Sequence, residues 1–253
     1  SRSFHFGVDV SCANGTSVYA TVSGRASRHP LHADAILVHA SDGTRTFGYW
    51  HLRPTVTDGQ RVVAYRTVIG TVMAPWEHVH FAEQHGSVYV NPLRRGALTP
   101  YADRTRPSVR GLAVEIGGRV APGRTASNVV DLVVEAYDAT PLPILGPWND
   151  RPLTPALLEW RLVAAARSTS STTGWRTAVD FRTTYPASSL WSSTFARWTR
   201  QNKRTRDARY RFFLVRGLDT TSMRDGRYAV QVRATDVRGN TVTTSFRLTV
   251  ANL

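Results

Sequence analysis

Two short segments combine metal-binding residue types with a spacing that aligns them: His5-Phe6-Gly7-Val8-Asp9 near the start of the chain and His78-Val79-His80-Phe81 further along. Side chains two apart on a strand point the same way. Read as strands, the first segment puts His5, Gly7 and Asp9 on one face with Phe6, Val8 and Val10 on the other. The second pairs His78 with His80 and backs them with Val79 and Phe81. Polar ligands then face a cleft while apolar residues face a core. Neutral imidazoles and a carboxylate suit Zn2+, and a catalytic zinc keeps three protein ligands with the fourth position open to water. Two histidines and one aspartate would meet that count. The sequence has no His-Glu-x-x-His, so the helical arrangement of many zinc proteases is absent.

The elements that must hold these residues are marked by motifs in a fixed order. Gly15-Thr16-Ser17-Val18-Tyr19-Ala20 with Gly24 reads as a glycine-bounded hairpin, and Ala35-Ile36-Leu37-Val38-His39, Asp42-Gly43 and Tyr49-Trp50-His51-Leu52 as a second one. Gly59 through Ile69-Gly70 and Asn91-Pro92 complete the series around His78-Val79-His80-Phe81. Together they make residues 5 to about 100 resemble the M23 family of zinc metallopeptidases, the lysostaphin and LytM type of peptidoglycan endopeptidase. The resemblance implies one zinc ion held by His5, Asp9 and His80, with His51 and His78 as catalytic histidines that do not bind the metal. Histidines beside such a metal can take a proton from water or steady an oxyanion.

Departures from the family pattern are local. Thr71 to Glu77, before the His-x-His pair, is shorter than the usual Gly- and Ser/Thr-rich loop and carries a bulky Trp76. Tyr65 stands near a position usually taken by glycine, and Glu83 sits one place later than the family's glutamate, so it receives no role. The chain begins four residues before the first ligand, which reads as a fragment or processed form. His29, His32 and His85 read as ordinary surface or hydrogen-bonded histidines, and His39 as a packing residue. Cys12 is the sole cysteine, so no intramolecular disulfide can form; a small buried or turn residue is its plainer reading than a thiolate competing for zinc.

The net charge of +14 is uneven, with 10 Arg against 7 acidic residues over 1–104 and 22 basic against 11 acidic over 105–253. A surface like that of the second half attracts polyanions. Only one basic residue, Lys203, is a lysine, an arginine bias that fits a GC-rich bacterial genome. No apolar run approaches the ~20 residues that span a bilayer. No signal peptide heads the chain.

A break between Leu98 and Pro107 divides the chain into 1–104, a zinc-peptidase-like domain, and 105–253, a basic β domain. In the latter, Gly226 to Ala234 and Val242 to Val250 alternate strictly around the turn residues Asp236 to Asn240, a hairpin signature. That hairpin resembles the last strands of immunoglobulin-like or fibronectin-type sandwiches. Further strands are expected at Val109–Ile116, Val129–Tyr137, Leu157–Val163 and Tyr210–Val215, with surplus length in Pro141–Pro155 and Ser168–Arg209. The fold class expected is all-β, an M23-type antiparallel sheet followed by an immunoglobulin-like sandwich with insertions.

Within the surplus, Arg197, Arg200, Lys203, Arg204, Arg206 and Arg209 follow Trp191, Phe195 and Trp198. Such interleaving can hold a glycan or a nucleic-acid strand, although a solvated face is the ordinary reading of a charge run. The function expected is hydrolysis of peptide bonds in bacterial peptidoglycan, outside the cytoplasm. Partners would be wall peptides and, through the second domain, anionic wall polymers, with no specific nucleic acid. The alternative is a catalytically silent relative that localises or activates another wall hydrolase.

Overall fold

The computed structural model describes residues 4–98, 101–141, 144, 146–164 and 173–252. Most of the Ser168 to Thr173 stretch expected as a loop lies outside the described residues, as do two residues of the expected break after Leu98. The fold is all-β: among the described residues nineteen strands are joined by turns, and the longest helix, Trp191–Thr194, has four residues. No helix among the described residues is long and apolar enough to cross a membrane.

The first unit is built on an antiparallel sheet whose path runs Val8–Ser11, His78–His85, Arg45–Trp50, Ile36–Ala40, Gly24–Arg28 and Arg61–Val62. A smaller sheet of Ser17–Tyr19, Val68–Val72 and Leu52–Pro54 stands beside it. Period-two patterning explains the burial, since Ile36, Val38 and Ala40 go inward while Leu37 and His39 remain accessible. With Tyr49, Leu52, Ile69 and Phe81 they form one core, each large aliphatic side chain contributing roughly 1.5–3 kcal/mol on burial. The strand ends are thereby fixed, and the ligand residues sit on one edge of this sheet.

The second unit has two sheets around one core. Ser108–Ile116, Val129–Tyr137 and Arg211–Asp219 lie in one; Thr241–Val250, Gly226–Thr235, Leu157–Ala164 and Arg176–Asp180 in the other. Inward-facing Leu132, Val134, Trp160, Phe212, Val230, Val232 and Leu248 meet between them. The hairpin pairs in one unbroken register from Gly226↔Val250 to Thr235↔Thr241. Asp236 closes its turn by accepting from the backbone N–H groups of Arg238 and Asn240.

The units are sutured at the backbone. Val90 bridges Thr184, the Asn91 N–H donates to Thr183 O at 2.8 Å, and the Tyr185 N–H donates to Tyr89 O at 3.0 Å. Phe4, from the chain's beginning, is buried in the core of the second unit against Trp191 at 5.4 Å and Phe195 at 5.6 Å. Phe6 stacks on Tyr89 at 4.5 Å. The expected division at 104 is thus crossed in space by the segment that carries the first ligand.

Candidate metal centre

Asp9 lies directly opposite His80 in the pairing of Val8–Ser11 with His78–His85. Register alone therefore brings carboxylate and imidazole together, with 2.9 Å between Asp9 Oδ1 and His80 Nδ1. His5 arrives by another route. It precedes the strand, and the Gly7 N–H donates to His5 O at 3.1 Å, turning the chain so that His5 Nε2 stands 3.2 Å from Asp9 Oδ1. Gly7 has φ 145, and a Cβ there would lie 2.3 Å from Phe81 O, so this turn requires glycine. The expected single strand face for His5 and Asp9 is corrected: alternation positions Asp9, while a glycine turn positions His5.

One donor atom from each of His5, Asp9 and His80 lies within 4.8 Å of the others. Ligands at zinc distances in a tetrahedron stand roughly 3.3–3.5 Å apart, so the trio fits the ion after a small rearrangement. Burial opposes ionisation of Asp9, but His5 and His80 outweigh it and hold the carboxyl well below the usual range. Burial lowers His80 despite its bond to Asp9. For His5 burial also works downward, and the charge of Asp9 overrides it to raise the pKa. A divalent cation could take the place of that proton, since ligands must be deprotonated to bind.

His78 and His51 stand behind the trio. A carbonyl can only accept, so the 2.6 Å contact to Trp76 O makes His78 Nδ1 the donor and turns Nε2, 3.7 Å from Asp9 Oδ1, toward the ligands. His51 follows Arg45–Trp50 at φ 68, an uncommon conformation for a non-glycine residue. Its Nδ1 is 3.3 Å from Asp34 Oδ2. Burial first, then the charge of His78, lowers its pKa to about 4 against the opposite pull of Asp34. His51 is therefore neutral at pH 7. The two rings meet edge to face at 4.8 Å.

Comparison with solved structures finds the catalytic domain of the antimicrobial peptidase lysostaphin from Staphylococcus simulans, crystallized in the absence of phosphate, at 30% identity. That match covers 33% of this chain and 69% of that one, with a TM-score of 0.29. The antimicrobial peptidase lysostaphin from Staphylococcus simulans is similar at 16% identity over 94% of this chain and 81% of that one, TM-score 0.31. Its NMR solution structure gives 17%, 94%, 79% and 0.32. No family model and no curated protein matches. At these TM-scores the likeness carries no argument, and function is read from the site itself.

Three residues at the site escaped the sequence reading. Asp34 reaches His51 because its carbonyl accepts from the Leu52 N–H at 2.9 Å, a long-range contact without a local signal. Trp148, from the second unit, packs edge-on against His78 at 5.4 Å. Arg204, counted in the basic run, donates from Nη1 to Pro75 O at 2.5 Å and stands 3.6 Å from Glu77 Oε2. Arg204 thus ties that run to the loop before His78.

The remaining candidates have local partners. His39 contacts Ser27 Oγ at 3.0 Å and Thr46 Oγ1 at 3.2 Å. His85 and Arg94 both bind Glu83, which is buried. The rings of His29 and His32 lie 4.8 Å apart. The Cys12 thiol points to Val10 O at 3.4 Å, and burial pushes its pKa up, so it offers no thiolate. Tyr65, which stands near a position where the resemblance expected glycine, adopts φ 58. In the basic run, Arg209 pairs with Glu135, whereas Arg197, Arg200, Lys203 and Arg206 are exposed.

Proposed function

We propose that this chain is a zinc metalloendopeptidase of the M23 type acting on the peptides of bacterial peptidoglycan. The observation that carries the reading is the convergence of His5, Asp9 and His80, drawn from a turn and two paired strands, within 4.8 Å at the donor atoms. These three residues would hold the ion, whose Lewis acidity brings the pKa of water toward neutrality. His51 is neutral at pH 7. With Nδ1 directed to Asp34, it keeps an Nε2 lone pair to receive a proton. His78, with Nδ1 donating to Trp76 O, presents Nε2 toward the ligands. A ring that takes up a proton becomes a cation that would steady an oxyanion, and handing that proton to the leaving amine would return the ring to its neutral form.

The second unit, with its two sheets on one core, reads as an immunoglobulin-like sandwich. Its exposed arginines would hold anionic wall polymers and keep the enzyme at the cell envelope. Elemental analysis of purified protein, joined to mass spectrometry of peptidoglycan after incubation, tests the reading. About one zinc per chain and new peptide termini are expected. A protein that binds zinc but releases no termini would instead be a silent relative, and one that binds no zinc would overturn the metal centre.

A further inference from the structure

The Trp76 carbonyl accepts two hydrogen bonds, one from each unit. His78 Nδ1 donates at 2.6 Å and Trp148 Nε1 donates at 3.1 Å. Trp76 itself lies flat on His51, 3.9 Å between ring centroids and 13° between planes, while the Trp148 ring meets His78 edge-on at 5.4 Å. Both histidines are therefore backed by indoles, one from each unit.

The turn bearing Trp148 is braced. Gly146–Trp148 forms one turn of 3-10 helix, and Arg151 Nε donates to Pro147 O at 2.7 Å. Arg151 Nη2 also donates to Arg204 O at 2.8 Å, and Asn202 Nδ2 donates to Pro152 O at 2.8 Å. Arg204 in turn holds Pro75 O. Gly146 fits against Glu77 so closely that a Cβ would lie 2.5 Å from its Oε2. Two segments of the second unit thus converge on the short 75–77 loop, whose carbonyl sets the orientation of His78.

We propose that Trp148 is a positioning residue: through the Trp76 carbonyl, the second unit holds His78 in the ring orientation that presents Nε2 to the metal centre. The inference rests on the peptidase reading of the same site. Outer partners that orient a histidine commonly change activity by roughly 10- to 100-fold. The Trp148 indole contributes in two ways. Its N–H pins the carbonyl, and its ring keeps water from competing for the His78 N–H.

Trp148→Phe, which keeps a ring but loses the donor, and Trp148→Ala, each in the chain of both units, should be compared with the wild type. Zinc content should be unchanged in both, KM on a soluble wall peptide should stay within about twofold, and kcat should fall about tenfold in the first and further in the second. In 15N-histidine-labelled protein, the Nδ1–H resonance, assigned by its loss in His78→Gln, should exchange slowly in the wild type and be broadened in both variants. Unchanged kcat in Trp148→Phe, or a His78 N–H undisturbed in both variants, would overturn the proposal. A wild type with no hydrolysis would sink the peptidase reading alone, because the histidine spectrum still decides the role of Trp148.

Discussion

At the scale of single residues, the site separates groups that would hold a metal from groups that would move protons. Asp9 has three imidazoles near its Oδ1, those of His80, His5 and His78 at 2.9, 3.2 and 3.7 Å. His51 instead answers to Asp34. Asp9→Ala or His80→Ala should therefore abolish both bound zinc and activity. His51→Ala should keep the zinc and lower kcat by roughly 10²-fold, and His78→Ala should behave alike. Zinc content and steady-state kinetics on one preparation of each variant check the division. Zinc lost from His78→Ala but kept in His80→Ala would reverse the assignment of the pair.

At the scale of elements, the ligand strand depends on its anchor. Phe4 and Phe6 flank His5 in sequence; Phe4 is buried among Trp191, Phe195 and Phe181, and Phe6 stacks on Tyr89. Phe4→Ala should destabilise the chain by about 3 kcal/mol, as core Phe truncations do, and weaken zinc binding measured by chelator competition. Phe4→Leu should restore much of both.

This dependence also marks where sequence reading stops. The pairs His78/His80 and the hairpin of Gly226–Thr235 with Thr241–Val250 were legible because alternation is local and both strands keep it. The route of His5 was not, because it is set by the close approach of Gly7, which has no Cβ, to a strand more than seventy residues away. Asp34, Trp148 and Arg204 were invisible for the same reason: each meets the site only after strands distant in sequence have paired. Trp76 was visible as a bulky residue in a short loop, yet its stacking on His51 needed the loop's conformation.

At the scale of the whole molecule, two electrostatic features lead to measurements. Asp138 has carboxylate neighbours in Asp103 and Asp236. Burial, opposed by the Ala139 N–H and reinforced by the charges of Asp236 and Asp103, pushes its pKa up to about 7. The folded chain therefore keeps a proton that the unfolded chain releases near 3.8. Its stabilising effect is full below about pH 4 and is lost as pH rises toward about 7. Asp138→Asn should flatten that slope and raise stability at pH 8 by on the order of 1 kcal/mol, read from urea midpoints at several pH values.

Charge on the second unit gives the other measurement. Exposed Arg197, Arg200 and Arg206 are free of the 75–77 loop contacts made by Arg204. The full chain should sediment with anionic cell walls, less so as salt rises above about 0.15 M. Replacing these three arginines by Ser should weaken sedimentation while leaving cleavage of a small soluble peptide intact.

The suture between the units has a practical corollary. Because Asn91 pairs with Thr183 and Tyr89 with Tyr185, and Phe4 is buried across the junction, covalent continuity around 98–105 is not what keeps the halves together. A protease nick there should leave a particle of unchanged hydrodynamic radius. Residues 1–98 and 105–253 produced as two polypeptides should find each other and complement, so that hydrolysis becomes a reporter of their meeting.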